Sequence, residues 1–310
     1  MRILVYGAGV LGCNLANDLF CAGKDVTLLA RGSWADTIQK TGLCIQRKFL
    51  PGVKINRIPV ITELCPEDAY DMIFAAVRYT QIDFLLEVLS RNVSSTVVFA
   101  GNNVQARALA AKLPGKNVLL AFSLSAGHRE KDRVVSIDLK KITIGPLSGI
   151  SSQRERIEKI FAGMHYKVVY EPNMEDYLLC HAAFVLPAVF ACYKTDGNLK
   201  KLKGNTAYLN RIIDANIEGY RAIRKAGHAI LPEADKEFET PQYRKTCLRF
   251  YRLMCATSLG KICASDHAMN AIEEMNAMNR DIRAFFDAVG ADYPVWKELE
   301  KDAAQYFQAR

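Results

Sequence analysis

The hydrophobic positions of the chain follow two patterns, and the change between them falls near residue 170. Before that point, short apolar and β-branched runs alternate with stretches of helical periodicity, whereas the later part is helical in pattern almost throughout. Strands that alternate with helices are typical of a mainly parallel sheet with right-handed crossovers. The pattern therefore predicts an α/β domain over residues 1–170 and an all-α domain over residues 171–310.

Short β-branched runs mark the strands of the first domain. We predict strands at Arg2–Tyr6, Asp25–Leu29, Met72–Ala75, Thr96–Phe99, Val118–Ser123, Val134–Leu139, Lys141–Ile144 and Lys167–Tyr170. The adjacent pair Val134–Leu139 and Lys141–Ile144 is expected to form an antiparallel edge rather than two parallel strands.

One long amphipathic helix is predicted in the second domain, over Asp266–Val289. Its apolar residues recur at helical intervals and predict one buried stripe, formed by Met278, Ile282, Phe285 and Val289. Ser265 is expected to cap the start of this helix, and Gly290 is expected to follow its end.

The composition is that of an ordinary globular protein. Of the 310 residues, 50% are hydrophobic and 24% are charged, which excludes a disordered, fibrous or low-complexity chain. We expect no membrane-spanning segment, because the apolar runs look too short. The sequence begins in a strand-like pattern rather than in a signal peptide, so we expect a cytoplasmic protein.

Charge and cysteine content narrow the classes of ligand. The nine cysteines are scattered without a CxxC pair, so neither a disulfide framework nor a metal site is predicted. The formal charge of +8 is spread along the chain without an arginine-rich stripe, which argues against a nucleic-acid partner. A small anionic ligand fits this charge.

The turn after the first predicted strand carries the GxGxxG pattern of dinucleotide-binding sites. Its residues are Gly7, Ala8, Gly9, Val10, Leu11 and Gly12. Gly7 permits the tight turn, Gly9 lets the backbone approach a diphosphate, and Gly12 allows the helix to pack closely on the strand. The diphosphate is expected at the N-terminus of the following helix, where free N–H groups favour anions. Because strand, glycines, helix and second strand follow in order, we predict a Rossmann domain.

The residue after the second strand distinguishes the two nicotinamide coenzymes. NAD sites usually have an acidic residue there, about 20 residues past the glycines, which binds the ribose 2′-hydroxyl. This chain has Arg31, 19 residues after Gly12. A guanidinium suits a 2′-phosphate, so we predict NADP(H). The alternative is a solvated loop arginine.

With these residues placed, the chain resembles the ketopantoate reductase (2-dehydropantoate 2-reductase) family over essentially its whole length. Besides the glycine turn and Arg31, the resemblance is carried by Ala76–Arg78, Phe99–Asn103, Ser123–Gly127, Ile144–Pro146, Arg224–Pro232, Ser265–Asp266, Glu273–Glu274, Asn279, Gly290 and Pro294. The order and spacing of these segments are specific, rather than any one motif. The chain has Val77-Arg78 where the family usually has Val-Lys.

The resemblance implies a Rossmann domain, a helical domain and an active site in the cleft between them. It implies hydride transfer from NADPH to the carbonyl of a 2-oxo acid, with ketopantoate as the leading substrate. The helical domain of such enzymes often supports a homodimer, but the sequence indicates no interface. Val77, Arg78 and Asn102 are then assigned to the coenzyme. Asn103 and Glu274 are assigned to the catalytic site, where they orient the substrate. The helical pattern alone predicts an exposed Glu274 unless a cleft faces it.

Carbonyl reduction also needs a proton for the developing alkoxide. The family supplies it from a lysine on the first helix of the second domain, yet residues 168–193 contain no lysine or arginine. The preferred register places His181 at the lysine position. Histidine can donate a proton near neutral pH, so His181 is either the general acid or a structural histidine at the domain junction. Lys194, at the end of that helix, is a fallback donor.

Two further sets of residues are weaker candidates. His128 lies on a loop expected at the strand ends, where ligands collect, and the tract Lys200–Lys203 carries three lysines that would attract an anion or remain solvated. The missing lysine leaves two rival functions open. One is an oxidoreductase of the same fold with a different carbonyl substrate, and the other is a non-catalytic NADPH-binding sensor.

Overall fold

A computed structural model describes residues 1–308 of the chain. The chain forms two compact units, which are described separately below. The first comprises Met1–Glu175, and the second begins at Asp176, shortly after the change of pattern in the sequence.

The first unit is built on one ten-stranded sheet. Its strands are β1 Arg2–Tyr6, β2 Asp25–Leu29, β3 Leu43–Arg47, β4 Lys54–Asn56, β5 Val60–Ile61, β6 Met72–Ala75, β7 Thr96–Ala100, β8 Asn117–Arg129, β9 Val134–Pro146 and β10 Lys167–Tyr170. They lie in the order β4-β3-β9-β8-β7-β6-β1-β2-β5, with β10 paired to β9. The run from β8 through β5 is parallel, as predicted, and the chain order changes direction on either side of β1. In such sheets ligands bind outside the carboxyl ends of the strands at this reversal.

Five helices accompany the sheet, and the first of them positions the glycine turn. They are α1 Val10–Cys21, α2 Gly32–Thr41, α3 Ile82–Arg91, α4 Ala106–Ala111 and α5 Arg154–Phe161. Apolar residues of α1 such as Cys13, Leu15 and Leu19 are buried in one core with the strand residues Val5 and Phe74. Burial of each such side chain stabilises the fold by about 1.5–3 kcal/mol.

A polar network also holds α1 against the far strands of the sheet. Asp18 of α1 forms an ion pair with Arg47 at 3.2 Å, and Arg47 lies 3.2 Å from Asp138 of β9. Burial alone would raise the pKa of Asp138, but the adjacent Lys140 prevails and holds that pKa below its usual range. This network and the apolar face together fix the helix that follows the glycine turn.

The prediction for the β8–β9 region was wrong in one respect. The two predicted strands Val134–Leu139 and Lys141–Ile144 form the single strand β9, which pairs antiparallel with β8 and parallel with β3. It is therefore not an edge. Lys140 has a positive φ of 53°, and this local twist interrupts the alternation from which the sequence suggested two strands. Strands β3, β4 and β5 were not predicted. All three lie near the sheet margins, and β4 and β5 have only three and two residues.

The second unit is helical, as predicted. Its helices are α6 Met174–Lys194, α7 Thr206–Lys225, α8 Pro241–Ala256, α9 Ser258–Gly260, α10 Asp266–Asn270, α11 Ile272–Ala288, α12 Pro294–Glu300 and α13 Ala304–Phe307, with a π-helical segment at Lys261–Ser265. Its core is aromatic: the Trp296 ring packs edge-on against Phe190 and Phe286, with centroid distances of 5.8 and 5.2 Å. Helix α12 is fixed to α7 because Glu218 accepts hydrogen bonds from the N–H groups of Val295 and Trp296.

Helix α6 corrects the expectation about apolar runs. Its 21 residues have a window of mean hydropathy 1.5, so by length and composition it is able to cross a membrane. However, 67% of that window is buried inside the protein, as in the core helix of a globular domain. Ala183 and Gly219 of α7 are in close contact, since a Cβ on Gly219 would lie 2.9 Å from that of Ala183. The hydropathy of α6 therefore reflects packing.

The predicted helix Asp266–Val289 is broken into α10 and α11 at Ala271, whose φ of −132° is not helical. Ser265 holds the N-cap position of α10, as predicted, but its side chain makes no capping hydrogen bond, because it lies buried in the preceding π-helical segment with helical backbone angles. Gly290 does follow the end of α11, with a φ of 61°. The buried face includes Met278 and Ile282, as predicted, but Phe286 replaces Phe285 and Val289 in the core.

Candidate active site

The glycine turn has the geometry that its sequence predicts. Gly7 has a φ of 113°, and a Cβ there would lie 2.4 Å from the carbonyl oxygen of Ala76. A Cβ on Gly12 would lie 1.9 Å from the carbonyl oxygen of Gly7, so α1 packs directly on the turn. A Cβ on Gly9 would meet nothing within 4 Å. Gly7 and Gly12 are thus required by the protein itself, whereas the space beside Gly9 is open to a ligand.

The N-terminus of α1 lacks the groups that usually satisfy a helix start. Gly9 is the N-cap, with no side chain to accept a hydrogen bond, and the first turn contains no acidic residue. The half-buried Val10 and Leu11 form that first turn. The indole of Trp34 donates to the carbonyl oxygen of Ala8 at 3.0 Å and so holds the turn in place. Free N–H groups and the helix dipole at such a terminus favour a phosphate.

Arg31 lies at the end of β2, beside a cavity of the first unit. The guanidinium donates to the phenolic oxygen of Tyr6 and stands 5.5 Å from the centroid of its ring. The cavity has a volume of about 310 Å³, which is within the usual size of ligand pockets. Its lining residues are Tyr6, Arg31, Thr62, Glu63, Leu64 and Val88. The cavity lies past the carboxyl ends of β1, β2 and β5, where the adenosine half of a dinucleotide binds in Rossmann domains.

Two asparagines follow β7 at the same edge of the sheet. Gly101 turns the chain with a φ of 140°, and Asn103 is 4% exposed. Asn103 accepts the Gln105 N–H at 2.8 Å through Oδ1. Among residues 1–308, however, the buried atoms Asn103 Nδ2 and Asn102 Oδ1 have no hydrogen-bond partner. Buried polar atoms without partners destabilise a fold. This donor and this acceptor are therefore candidates to bind polar groups of a ligand.

Val77 and Arg78 connect the glycine turn to this asparagine segment. The half-buried Val77 lies between the two segments. Its Cγ1 is 3.1 Å from a Cβ built on Gly7, and its carbonyl oxygen is 3.9 Å from a Cβ built on Gly101. Arg78 is exposed and begins the short 3₁₀ turn before α3. The first unit thus places Val77, Arg78, Asn102 and Asn103 at one edge with the glycine turn. The unsatisfied amide atoms of Asn102 and Asn103 and the uncapped N-terminus of α1 fit a nicotinamide dinucleotide at this edge.

His181 lies in α6 of the second unit and is half-buried. Burial of its imidazole lowers the pKa to about 4, and the nearby His267 adds to this effect. A histidine with this pKa is neutral at pH 7. His181 therefore carries no second proton in the free protein, which weakens its prediction as an imidazolium donor.

Glu274 is buried, with 6% exposure, although the helical pattern alone favoured exposure. It lies in the first turn of α11, near Tyr193 of α6, whose pKa is raised chiefly by burial and additionally by the Glu274 charge. Asn279 accepts from the Trp296 indole at 3.0 Å and donates to Glu300, so it is bound within the fold. Of the acidic and amide residues suggested by resemblance on α11, Glu274 remains a site candidate.

The weaker candidates have other partners. Lys194 Nζ forms an ion pair with Asp302 at 2.7 Å at the end of α6. His128 lies on β8 and its Nε2 is 3.5 Å from a Glu130 carboxylate oxygen. In the lysine tract, Lys201 pairs with Asp196 at 3.3 Å. These residues are explained by local contacts.

The sequence did not indicate a histidine–aspartate pair in the second unit, His228 and Asp176. His228 Nδ1 and Asp176 Oδ1 are 2.6 Å apart, and the other carboxylate oxygen accepts the Ala229 N–H at 2.9 Å. The His228 ring also packs on Phe285 at 5.8 Å. This pair holds the loop after α7 to the first turn of α6, and the 52 residues between its members explain why no local pattern reveals it.

Residues 3–149 of the chain match the family model described as ketopantoate reductase PanE/ApbA. No curated protein matches the sequence. Among similar solved structures, 2-dehydropantoate 2-reductase from Geobacter metallireducens GS-15 is 16% identical, with 98% of this chain and 99% of that chain covered and a TM-score of 0.79.

Two other structures cover 100% of this chain and 99% of their own at 14% identity. They are a dimeric ketopantoate reductase from Staphylococcus aureus, with a TM-score of 0.77, and D-mandelate dehydrogenase with NADH and anilino(oxo)acetate, with a TM-score of 0.76. At these identities the structures show the shared fold, a Rossmann domain followed by a helical domain.

Proposed function

We propose that this chain, whose residues 3–149 match the family model of ketopantoate reductases, reduces a 2-oxo acid to the 2-hydroxy acid with NADPH. Ketopantoate, giving pantoate, is the leading substrate, and pantothenate biosynthesis is the corresponding pathway. The observation that carries the proposal is the glycine turn, whose open space at Gly9 faces the uncapped N-terminus of α1.

The edge of the first unit supplies three kinds of contact to the coenzyme. The free N–H groups of the α1 N-terminus bind the diphosphate, and the Arg31 guanidinium binds the 2′-phosphate. Asn103 Nδ2 and Asn102 Oδ1 gain partners from the nicotinamide end or from the substrate, which removes the cost of leaving them unsatisfied. When bound, the reduced nicotinamide supplies the hydride. Arg78, exposed after β6, attracts the anionic groups of coenzyme or substrate.

We assign the donation of a proton to the developing alkoxide to His181. The low pKa of its imidazole determines when it is protonated. In the free protein the imidazole is neutral above about pH 4, and it can donate one N–H hydrogen bond. A substrate carboxylate beside the ring favours the protonated form and raises this pKa. His181 therefore donates in the substrate complex, while Glu274 accepts from the hydroxyl groups of the substrate.

Purified protein mixed with NADPH and ketopantoate tests this function, with loss of absorbance at 340 nm as the measurement. Phenylglyoxylate belongs in the same panel, because D-mandelate dehydrogenase is among the similar structures. NADH in parallel tests the coenzyme. Turnover of a 2-oxo acid supports the proposal, and tight NADPH binding without reduction of any member of the panel contradicts it.

A non-catalytic NADPH sensor is the second candidate, and it is favoured by the absence of a cationic proton donor in residues 168–193. Residues 168–193 contain no lysine or arginine, and His181 is neutral at pH 7. The buried Glu274 and the unsatisfied asparagine atoms favour the enzyme instead, since a pure coenzyme sensor has no need of a substrate-facing carboxylate. His181→Ala separates the two: an enzyme loses turnover with unchanged NADPH affinity, whereas a sensor has no turnover to lose.

Location and assembly are part of the proposal. We expect a cytoplasmic protein, as the sequence suggested. A homodimer is favoured because the similar ketopantoate reductase from Staphylococcus aureus is dimeric. Light scattering at several protein concentrations measures the assembly directly.

A further inference from the structure

Two oppositely charged residues, Arg31 and Glu63, follow adjacent strand ends and line the coenzyme cavity. Strands β2 and β5 are parallel, with Leu29 paired to Ile61, and the Ala30 N–H donates to the carbonyl oxygen of Ile61 at 3.1 Å. Arg31 and Glu63 each come two residues after a member of this pair. They therefore occupy equivalent positions past two adjacent strand ends, and both line the same cavity.

The two charges do not neutralise each other. The Arg31 guanidinium donates one hydrogen bond to the phenolic oxygen of Tyr6, and no ion pair links it to Glu63. Within residues 1–308, the exposed Glu63 carboxylate has neither a hydrogen-bond nor an ion-pair partner. A side chain of this kind at a cavity wall is free to contact a ligand.

A carboxylate at this place has opposite effects on the two coenzymes. It accepts hydrogen bonds from the 2′- and 3′-hydroxyls of an unphosphorylated adenosine ribose, which is the role of the acidic residue in NAD sites. Toward a 2′-phosphate, the same charge is repulsive. The usual acidic position after β2 is taken by Arg31, so the carboxylate comes instead from the end of the adjacent strand β5.

We infer that Glu63 is a coenzyme-selecting residue, which accepts from the ribose of NADH and counteracts the attraction of Arg31 for the 2′-phosphate of NADPH. This inference rests on the proposed function, because it requires a dinucleotide in the cavity. If Glu63 has this role, the site binds both coenzymes, and the ratio of the NADH to the NADPH dissociation constant is smaller than Arg31 alone would give.

The test measures binding rather than turnover, with ADP-ribose and 2′-phospho-ADP-ribose as matched probes that differ only in the 2′-phosphate. Calorimetric titration at low ionic strength gives the ratio of their dissociation constants for the wild type and for Glu63→Gln. We expect this ratio to shift about fivefold to tenfold in favour of the phosphorylated probe, since a nearby like charge has been removed. The shift should shrink in high salt.

Glu67→Gln is the matched control. Glu67 is an exposed carboxylate four residues further on that does not line the cavity, so this variant changes the net charge equally. Its ratio should stay within about twofold of the wild type. An equal shift in the two variants, or none in Glu63→Gln, overturns the assignment of Glu63 while the coenzyme site stands. If the wild type binds neither probe, the proposed function fails, and the inference fails with it.

Discussion

Asn216 donates from Nδ2 to the main-chain carbonyl oxygen of Ala183 at 3.0 Å, within the second unit. In a regular helix this carbonyl accepts the N–H four residues later, but that residue is Pro187 and has no N–H. Asn216 also donates to the Phe184 carbonyl at 2.9 Å and accepts from the Tyr251 phenol at 2.9 Å. The buried amide of α7 thus satisfies the carbonyl that proline leaves open in α6.

Replacing this amide should destabilise the second unit. We expect Asn216→Leu to lower the free energy of unfolding by about 2–4 kcal/mol, because the buried Ala183 carbonyl and the Tyr251 phenol lose their partner together. Urea denaturation followed by circular dichroism measures the loss.

The source of that loss can be isolated with Pro187→Ala, which returns an N–H to α6. In this background, Asn216→Leu should cost less, and the difference is the coupling energy of a double-mutant cycle. If Asn216→Leu lowers the free energy of unfolding equally in both backgrounds, the hydrogen bond to Ala183 does not compensate for the missing N–H of Pro187.

The glycine turn allows two substitutions with opposite consequences. Gly12→Ala places a methyl group 1.9 Å from the Gly7 carbonyl oxygen, so we expect the first unit to lose several kcal/mol of stability. Gly9→Ala meets no protein atom within 4 Å, so the fold should be preserved while the methyl group occupies ligand space. NADPH affinity of Gly9→Ala should fall at least about tenfold with an unchanged melting temperature. Thermal unfolding and calorimetric titration check both, and normal NADPH binding by Gly9→Ala would place the diphosphate elsewhere.

These glycines were predictable because a short stretch of sequence encodes the whole motif. The turn, the helix after it and Arg31 at the end of β2 need only the local order of strand, glycines and helix. The break in β9 at Lys140 was misjudged for the same reason, since one residue with positive φ looks like a strand end when its neighbours on β8 and β3 are unknown.

Contacts between distant segments were not predictable in this way. The bond from Asn216 to Ala183 and the pair Asp176–His228 join residues separated by more than 30 positions, and neither leaves a periodic signal. Glu63 was missed because β5 has two residues and no recognisable strand pattern. Burial of Glu274 likewise depends on tertiary packing, which a helical stripe alone does not determine.

Arg31 is expected to act on the phosphorylated coenzyme only. Arg31→Gln removes the guanidinium that faces the cavity, so the NADPH dissociation constant should rise about tenfold to a hundredfold, whereas NADH should change little. Fluorescence titration with both coenzymes gives the two constants. Equal weakening of NADPH and NADH would mean that Arg31 supports the adenosine pocket in general, for example through its bond to Tyr6.

Glu274 offers a test of the substrate half of the proposal. Glu274→Gln keeps the size of the buried side chain but weakens its hydrogen bonds to substrate hydroxyls, so kcat/KM for ketopantoate should fall about tenfold to a hundredfold. NADPH affinity should stay the same. The adjacent Glu273→Gln is the control, because Glu273 is exposed. Comparable kinetic loss in both variants would remove Glu274 from the substrate site.

His181 should make folding stability depend on pH in a defined window. Its pKa is about 4 in the folded protein and about 6.5 in an unfolded chain, so the unfolded state binds more protons between these values. Stability from this residue is therefore complete above about pH 6.5 and is lost as the pH falls toward 4, by up to about 3 kcal/mol. Urea unfolding at pH 7, 5.5 and 4.5 should show a smaller loss for His181→Gln than for the wild type. The exposed His165→Gln is the matched control, and an equal pH dependence of wild type and His181→Gln would show that the imidazole is not desolvated in the folded state.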